Sequence, residues 1–302
     1  MIAFINGHRH LYGVEPICRA LQFAPSTYYA AQSRQPCKRK VEDEALEVEI
    51  ARVRKENFDV YGVEKMWHQL LREGFQVGRD RVGRLMAEMG LTGARRNDHN
   101  TVTTKPAEEA ERPADLVERN FVSRAPNRLW VADITYVWTK QGFCYVAFVI
   151  DVFSRFIVGW RVCTSLGSDL ALDALEMAMW ARGGELAGLV QHSDRGVQYL
   201  SIRYSERLAD AEILASVGSK ADSYDNALAE TVNGLYKTEL IRRRGPWRGV
   251  EHVEVETAAY VHWWNNHRLH SACGFIPPVE LEEAYYAGLD TVVAMTTAEE
   301  AA

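Results

Sequence analysis

The sequence predicts an α/β chain: an all-helical N-terminal part, then a five-stranded mixed sheet flanked by helices. Three observations predict it. Up to about residue 90, apolar residues recur at helical spacing among charges. From 127 onward come three strand-like runs separated by tight-turn residues. After those, helix-like and strand-like segments alternate, the pattern of βα units. With 302 residues the chain has length for about two domains.

Residues 3–30 read as a short helical pair with Ile17, Leu21 and Phe23 on an apolar stripe. Pro25 breaks the stripe and Ser26 is placed to cap the next helix. Residues 31–40 are polar and basic, a connector. Residues 41–56 carry Val41, Ala45, Val48 and Val53 among charges, an amphipathic helix. Helices over about 63–73 and 79–89 come next, separated by Glu73-Gly74-Phe75, and Gly90 is placed as a C-cap. Helix, short glycine-containing turn, helix is the helix-turn-helix outline. The second helix carries Arg79, Arg81 and Arg84, which suits a helix that contacts DNA. Over 92–126 periodicity is lost and prolines accumulate, a linker with at most one short element.

The runs Leu129 to Trp138, Phe143 to Ile150 and Phe156 to Cys163 form an antiparallel meander turning at Gln141-Gly142 and Ser154-Arg155. A helix over Ser168 to Arg182, capped by Ser168 or Asp169, comes next. A strand over Leu189 to His192, a helix over Ile202 to Ala211, a strand over Ile213 to Val217 and a helix over Asp225 to Arg242 complete the core. Order βββ-α-β-α-β-α is the ribonuclease H-like arrangement. The expected divisions are an N-terminal helical region 1–40, a helix-turn-helix domain 41–95, a linker 96–124, the catalytic core with C-terminal helices 125–285, and a tail 286–302.

Composition excludes several classes. Apolar residues make up 47% and charged residues 25%, an ordinary globular balance rather than a disordered one. The longest clean apolar run, Phe143 to Ile150, is far short of the ~20 residues of a membrane span. The opening MIAFINGHRH lacks the pattern of a signal peptide. Five cysteines form no CxxC pair, so they read as reduced thiols of a cytosolic protein. His8, His10, Cys18 and Cys37 match no common zinc module. The net charge is −6, with 19 basic against 18 acidic residues over 1–120 and 16 against 23 over 121–302. Local basic clusters, at 34–40, at the three arginines of 79–84 and at 242–248, govern contact with phosphates more than the total does.

Three carboxylates fall at telling places. Asp133 lies within the first strand. Asp194 lies just past the fourth, where ligand groups collect in α/β sheets. Glu230 lies one to two turns into the last long helix. Together they would repel, and one would take up a proton. A divalent cation removes that conflict, and oxygen-only ligands suit Mg²⁺ or Mn²⁺. Two such ions activate a nucleophile and stabilise the leaving oxygen of a phosphodiester. Lys237 comes seven residues after Glu230, close to two full helical turns, so the two share a face. Asn226 reads as a helix cap and Asp151 as a buttress for the Ser154-Arg155 turn. His192 and Ser193 either shape the loop or touch substrate. The cluster Trp263, Trp264, Asn265, Asn266, His267, Arg268 and His270 either contacts DNA or packs on the sheet with Arg268 outside.

The 35-residue gap between Asp194 and Glu230, with Lys237 beyond, resembles the DDE signature of retroviral integrases and insertion-sequence transposases. The segments WVADITYV, VIDVFSRFIVGW, HSDRGVQYL, DNALAETVNGLYKTEL and WWNNHRLHSACGFIPPVEL are similar to the integrase-core transposases encoded by the second reading frame of the IS-three group. YGVEKMWHQLLREGFQVGRDRVGRLMAEMGL resembles that group's internal helix-turn-helix, and YGVEPICRALQFAPSTYY its N-terminal part. The resemblance covers roughly 5–285. It implies a transposase catalytic subunit that cleaves and joins DNA at insertion-sequence ends. In that reading Asp133, Asp194 and Glu230 are catalytic and hold two Mg²⁺ ions, with Mn²⁺ able to substitute. Lys237, Arg79, Arg81 and Arg84 bind DNA. The implied partners are terminal-repeat and target DNA, further copies of the chain on that DNA, and a fusion to the product of an upstream reading frame. The implied location is the bacterial cytoplasm, at the nucleoid. Two rival readings are a ribonuclease H-like nuclease that does not join, and an inactive DNA-binding regulator of transposition.

Overall fold

The computed structural model describes residues 1–95, 115–117, 121–183, 186–194, 196, 198–218 and 226–288. Much of the expected linker and tail lies outside them. The chain divides into two units, Met1–Ala51 and Arg52–Ala302.

In the first unit α1 (Ile2–Tyr12), α2 (Val14–Ala20) and α3 (Pro25–Ser33) bury Ile5, Ile17, Cys18 and Tyr28 against one another. The Tyr28 hydroxyl donates to Asn6 Oδ1 at 2.7 Å. Pro25 opens α3, with Ala24 as its N-cap, so Ser26 is inside the helix and caps nothing. Proline at the first helical position loses no hydrogen bond, because that N–H has no partner there anyway. The expected basic connector is partly helical too. Helix α4 (Lys38–Glu56) starts three residues early, and its first-turn lysines pair with Glu42 and Glu44 one turn on.

In the second unit α5 (Val63–Arg72) and α6 (Arg79–Glu88) form the expected helical pair, burying Met66 and Leu70 against Val82, Leu85 and Met86. Gly90 takes a left-handed φ of 68° just past α6, and the Leu91 N–H returns to Met86 O, as a helix C-terminus requires.

The sheet contains β1 (Leu129–Thr139), β2 (Gly142–Asp151), β3 (Ile157–Cys163), β4 (Val190–Ser193) and β5 (Leu214–Val217), in spatial order β3-β2-β1-β4-β5. The first three are antiparallel, and β4 and β5 run parallel to β1. This is the ribonuclease H-like order. On one face α7 (Ser168–Arg182) and α8 (Ile202–Asp210) cover Trp130, Ala132, Ala147 and Val149. Gly159 lets α7 lie directly on β3: a Cβ there would collide with Ala174 O and stand 2.8 Å from Ala178 N. The N-cap of α7 is Gly167 in extended conformation, not Ser168 or Asp169.

The other face is covered by α9 (Ala227–Tyr236) and α11 (Val250–Asn266). Tyr236 of α9 sits edge-on to Phe148 of β2, with centroids 5.1 Å apart, and its hydroxyl meets Thr257 Oγ1 at 2.7 Å. The helix expected over 225–242 is not uniform. After Tyr236 comes a π-helical turn, Lys237–Ile241, then a short α10 (Arg242–Arg244). Asn265 binds both Ile157 N and Ile157 O of β3, at 2.8 and 3.0 Å. Trp263, Trp264, Arg268 and His270 are all buried, so the aromatic-polar cluster braces the core. Arg268 lies inside, not outside as expected.

The pair α5 and α6 is joined to this C-terminal part. The Leu269 N–H donates to the Tyr61 hydroxyl at 2.8 Å, and Trp263 Nε1 donates to Asn57 Oδ1 at 3.0 Å. His68 stacks on Phe275 at 3.8 Å, and Arg72 pairs with Glu280 at 2.5 Å. A last helix over 278–288 is tied down by Glu282, which accepts two bonds from Arg182, at 2.6 and 2.7 Å, within the core. Among the described residues no helix is long and apolar enough to cross a membrane.

Candidate functional site

Strands β1 and β4 pair only over Leu129–Ala132 and Val190–Ser193, and the last matched residues are Ala132 and Ser193. Asp133 and Asp194 each come next. Adjacent strands lie ~4.8 Å apart, so this register sets the two carboxylates side by side at the point where β1 loses its β4 neighbour. The Asn226 side-chain amide donates to Ala132 O at 2.9 Å. Asn226 is the N-cap of α9 by position, but its side chain makes no cap bond. It fastens the helix start to the strand instead. Glu230 lies in the first turn of α9, exposed, and its charge acts on Asp133.

Asn233, one turn further, donates from Nδ2 to Asp133 Oδ2 at 2.8 Å. The Ile134 N–H donates to Asp133 Oδ1, and the Gly196 N–H donates to Asp194 Oδ1 at 2.9 Å. Helix α9 is regular through Tyr236, so the seven-residue spacing from Glu230 to Lys237 holds. Lys237 Nζ lies over the Tyr136 ring, 4.3 Å from its centroid.

Burial, and then the neighbouring Asp194 charge, hold the Asp133 carboxyl well above the ordinary carboxylate range. Burial raises Asp194 as well. Burial lowers Lys237, while the Asp133 charge opposes the shift. The site therefore gathers negative charge that a proton or a cation must offset.

Among the described residues no three His, Cys, Asp or Glu side chains are already drawn into a metal-holding cluster. The donor set nonetheless fits a hydrated hard cation. The Asp194 and Glu230 charges both act on Asp133. The buried Asn226 Oδ1, Asn233 Oδ1 and Tyr199 hydroxyl have no hydrogen-bond partner among the described residues, and the Asp133 and Asp194 charges both act on Tyr199.

The other residues singled out in the sequence divide plainly. His192 is fully buried, with Nδ1 2.9 Å from Ser216 Oγ, so it shapes the strand end. Asp151 accepts from the Asn127, Phe153 and Ser154 N–H groups, as a turn buttress does. In α6, Arg79 is exposed, near Glu64 at 3.7 Å. Arg84 bonds Glu88 at 2.9 Å. Arg81 and Arg84 share one side of the helix, and Arg79 lies roughly 140–160° round the axis from them at 100° per residue. Sequence reasoning missed Asn233, whose signal was its place one turn past Glu230. It also missed the fragment 115–117, where the Leu116 N–H donates to Ser216 Oγ at 2.9 Å.

A sheet of this order, with Asp133 where β1 outruns β4 and Asp194 just past the end of β4, defines a ribonuclease H-like α/β core. Residues 123–223 and 212–278 each match an integrase core domain, and residues 40–99 match an HTH-like domain. The chain is 53% identical over 272 residues to a putative transposase for insertion sequence element IS986/IS6110 of Mycobacterium tuberculosis, covering 88% of this chain and 97% of that one. It is 50% identical over 294 residues to the transposase for insertion sequence element IS629 of Shigella sonnei, covering 96% and 98%. Among solved structures it is similar to the HTLV-2 integrase catalytic core domain in complex with magnesium, at 17% identity and a TM-score of 0.42 over 53% of this chain and 99% of that one. It is also similar to a chain of the simian T-cell lymphotropic virus intasome, at 17% identity and 0.45 over 77% and 74%. The chain belongs to the integrase-core transposases of insertion sequences, of the IS-three type. It is a DDE-type transposase.

Proposed function

We propose that this transposase cleaves DNA at the ends of its insertion sequence and joins them to target DNA, with Asp133, Asp194 and Glu230 as the catalytic carboxylates. The placement of Asp133 and Asp194, each one residue past Ala132 and Ser193, the last matched pair of the parallel strands β1 and β4, carries this reading. The three carboxylates would hold two divalent cations, Mg²⁺ with Mn²⁺ as a substitute. Bound there, such ions lower the cost of generating an oxygen nucleophile and stabilise the oxygen that leaves the phosphodiester.

The chain's own side chains do the rest. Asn233 and the Ile134 N–H together hold the Asp133 carboxylate in one orientation. Lys237, on the face of Glu230, engages the backbone phosphate of the strand being cut or joined. Arg79, Arg81 and Arg84 of α6 bind the DNA end. No side chain need act as the nucleophile, since the attacking groups are water and then the freed 3′-hydroxyl, and cations held by the carboxylates would ease the loss of their protons to solvent. Assembly of several copies on paired ends, fusion to an upstream-frame product and residence at the bacterial nucleoid complete the reading.

The test is Asp194→Ala in the full chain, with or without the upstream fusion. This variant is expected to bind element ends yet neither nick nor join them. Mg²⁺-dependent joining at the parental rate by Asp194→Ala would overturn the assignment. Supplying precut ends separates a transposase from a nuclease, because only the former yields joined product.

A further inference from the structure

Lys237 does not stand alone at the open side of β1. Its ammonium caps the Tyr136 ring at 4.3 Å. Tyr136 meets Phe143 edge-on, centroids 5.6 Å apart, and Phe143 meets Trp138 in the same way at 4.7 Å. This aromatic ladder runs from the candidate site to the tip of the β1–β2 hairpin, and it becomes more exposed along the way: Phe143 is 49% and Trp138 64% exposed. An indole that wet normally costs solubility, and the contact with Phe143 leaves most of it open.

The tip is rigid. The Lys140 N–H donates to Trp247 O at 2.9 Å, Thr139 and Trp247 form an isolated bridge, and Trp247 Nε1 donates to Ile241 O at 3.0 Å. That docking brings a second, cationic element alongside. Lys140, Arg242 and Arg248 are all exposed, and among the described residues none of the three has an ion-pair partner. The Arg242 charge reaches Lys237. Between Arg242 and Arg248 the chain carries no acid, and the first one beyond is Glu251 at the start of α11.

Aromatic faces interleaved with unpaired cations are what single-stranded nucleic acid requires: stacking for bases and charge for phosphates. A duplex supplies phosphates but hides its base faces, so the exposed indole gains only where a base has left the stack.

We propose that the β1–β2 hairpin end is a stacking site for unpaired DNA beside the reacting phosphate, with a base on Trp138 and Phe143 and flanking phosphates on Lys140, Arg242 and Arg248. The site extends the assignment of Lys237 to the DNA backbone and rests on it. Five residues of strand separate Asp133 from Trp138, ~16 Å at strand rise. The odd spacing sets the two side chains on opposite faces of β1, and Lys237, over Tyr136 and within reach of the Asp133 charge, links them where β4 no longer covers the edge of β1.

The experiment reads binding apart from chemistry. The full chain is titrated, in Ca²⁺, with a short duplex carrying 2-aminopurine either paired or in a single-stranded end. The parent is expected to quench the unpaired probe. Trp138→Ala is expected to abolish that quenching and weaken affinity for the unpaired-end DNA about tenfold, with fully paired DNA bound as before. Trp138→Phe is expected to recover much of both. Equal quenching by the parent and Trp138→Ala overturns the proposal, as does a loss of self-association in Trp138→Ala with DNA binding intact, which makes the patch a contact between copies. Joining assays run in parallel on the parent and on its upstream fusion: joining by either alongside equal quenching by Trp138→Ala discards the stacking site alone, whereas failure of both to join discards the wider reading.

Discussion

Arg268 lies across Glu239, with Nη2 at 2.6 Å from Oε1 and Nε at 3.0 Å from Oε2, and both side chains are almost wholly withdrawn from solvent. The Tyr260 hydroxyl donates to the same carboxylate at 2.9 Å. The π-helical turn points Glu239 inward directly after Lys237 has faced the candidate site.

Breaking this pair leaves an uncompensated buried charge. Arg268→Met is expected to cost about 3–5 kcal/mol, while Glu239→Met with Arg268→Met recovers most of that loss, because well-packed apolar replacements of a buried pair are often neutral. Urea midpoints of the parent and both variants measure it. A double variant as unstable as the single one contradicts the pairing.

Lys65 of α5 sits near the same network, 5.5 Å from the Tyr61 ring. Burial first, and then the Arg268 charge, lower its pKa from 10.5 to about 7. Between those values the unfolded chain holds a proton there that the folded chain has released. Stability therefore rises with pH across that window, and the penalty is fully present below about 7. Lys65→Met is expected to raise the melting temperature at neutral pH and to flatten the rise between pH 7 and 10. An unchanged slope in thermal melts across that range counts against it.

Asn233 holds Asp133 by one hydrogen bond from the partner helix. Asn233→Ala is expected to leave the fold intact and to loosen a carboxylate then held by the Ile134 N–H. Loss of such an orienting bond typically costs roughly 10–100-fold in metal affinity or activity. The expected signature is a higher Mg²⁺ requirement and slower joining with unaltered end binding, read from joining rates over a Mg²⁺ titration.

The arginines of α6 predict a salt effect. Each phosphate contact removed lowers the slope of log affinity against log salt by roughly 0.9. Arg81→Ala with Arg84→Ala is expected to flatten that slope by up to about two units in filter-binding measurements with duplex ends. Arg79→Ala is expected to remove a further unit. A slope equal to the parent's excludes α6 from the interface.

Much of the core was legible because strand alternation and turn residues are local. Leu129 to Trp138 and Phe143 to Ile150 both form strands within a residue or two of expectation. Asp133, Asp194 and Glu230 stood out because their spacing belongs to a known signature. The register that puts Ala132 opposite Ser193 is a long-range choice, and no local pattern encodes it. The π turn at Lys237 was invisible for the same reason. It accommodates Glu239, whose partner Arg268 is 29 residues away, and that distant partner is also why Arg268 reads as a surface residue from its neighbours alone. Ser26 and Ser168 misled because good capping residues are common wherever chains turn. Here Ala24 and Gly167 take the cap positions, and both are extended.

The seam joining α5 and α6 to the C-terminal helices, through Tyr61 with Leu269 and Asn57 with Trp263, has a geometric consequence. A DNA end gripped by α6 and severed beside Asp133 would be gauged by one solid body. The number of base pairs between the sequence recognised and the bond broken would then be fixed by protein dimensions, as on a ruler. Lengthening the DNA between those two points would misplace the cut rather than be absorbed by a swivelling arm.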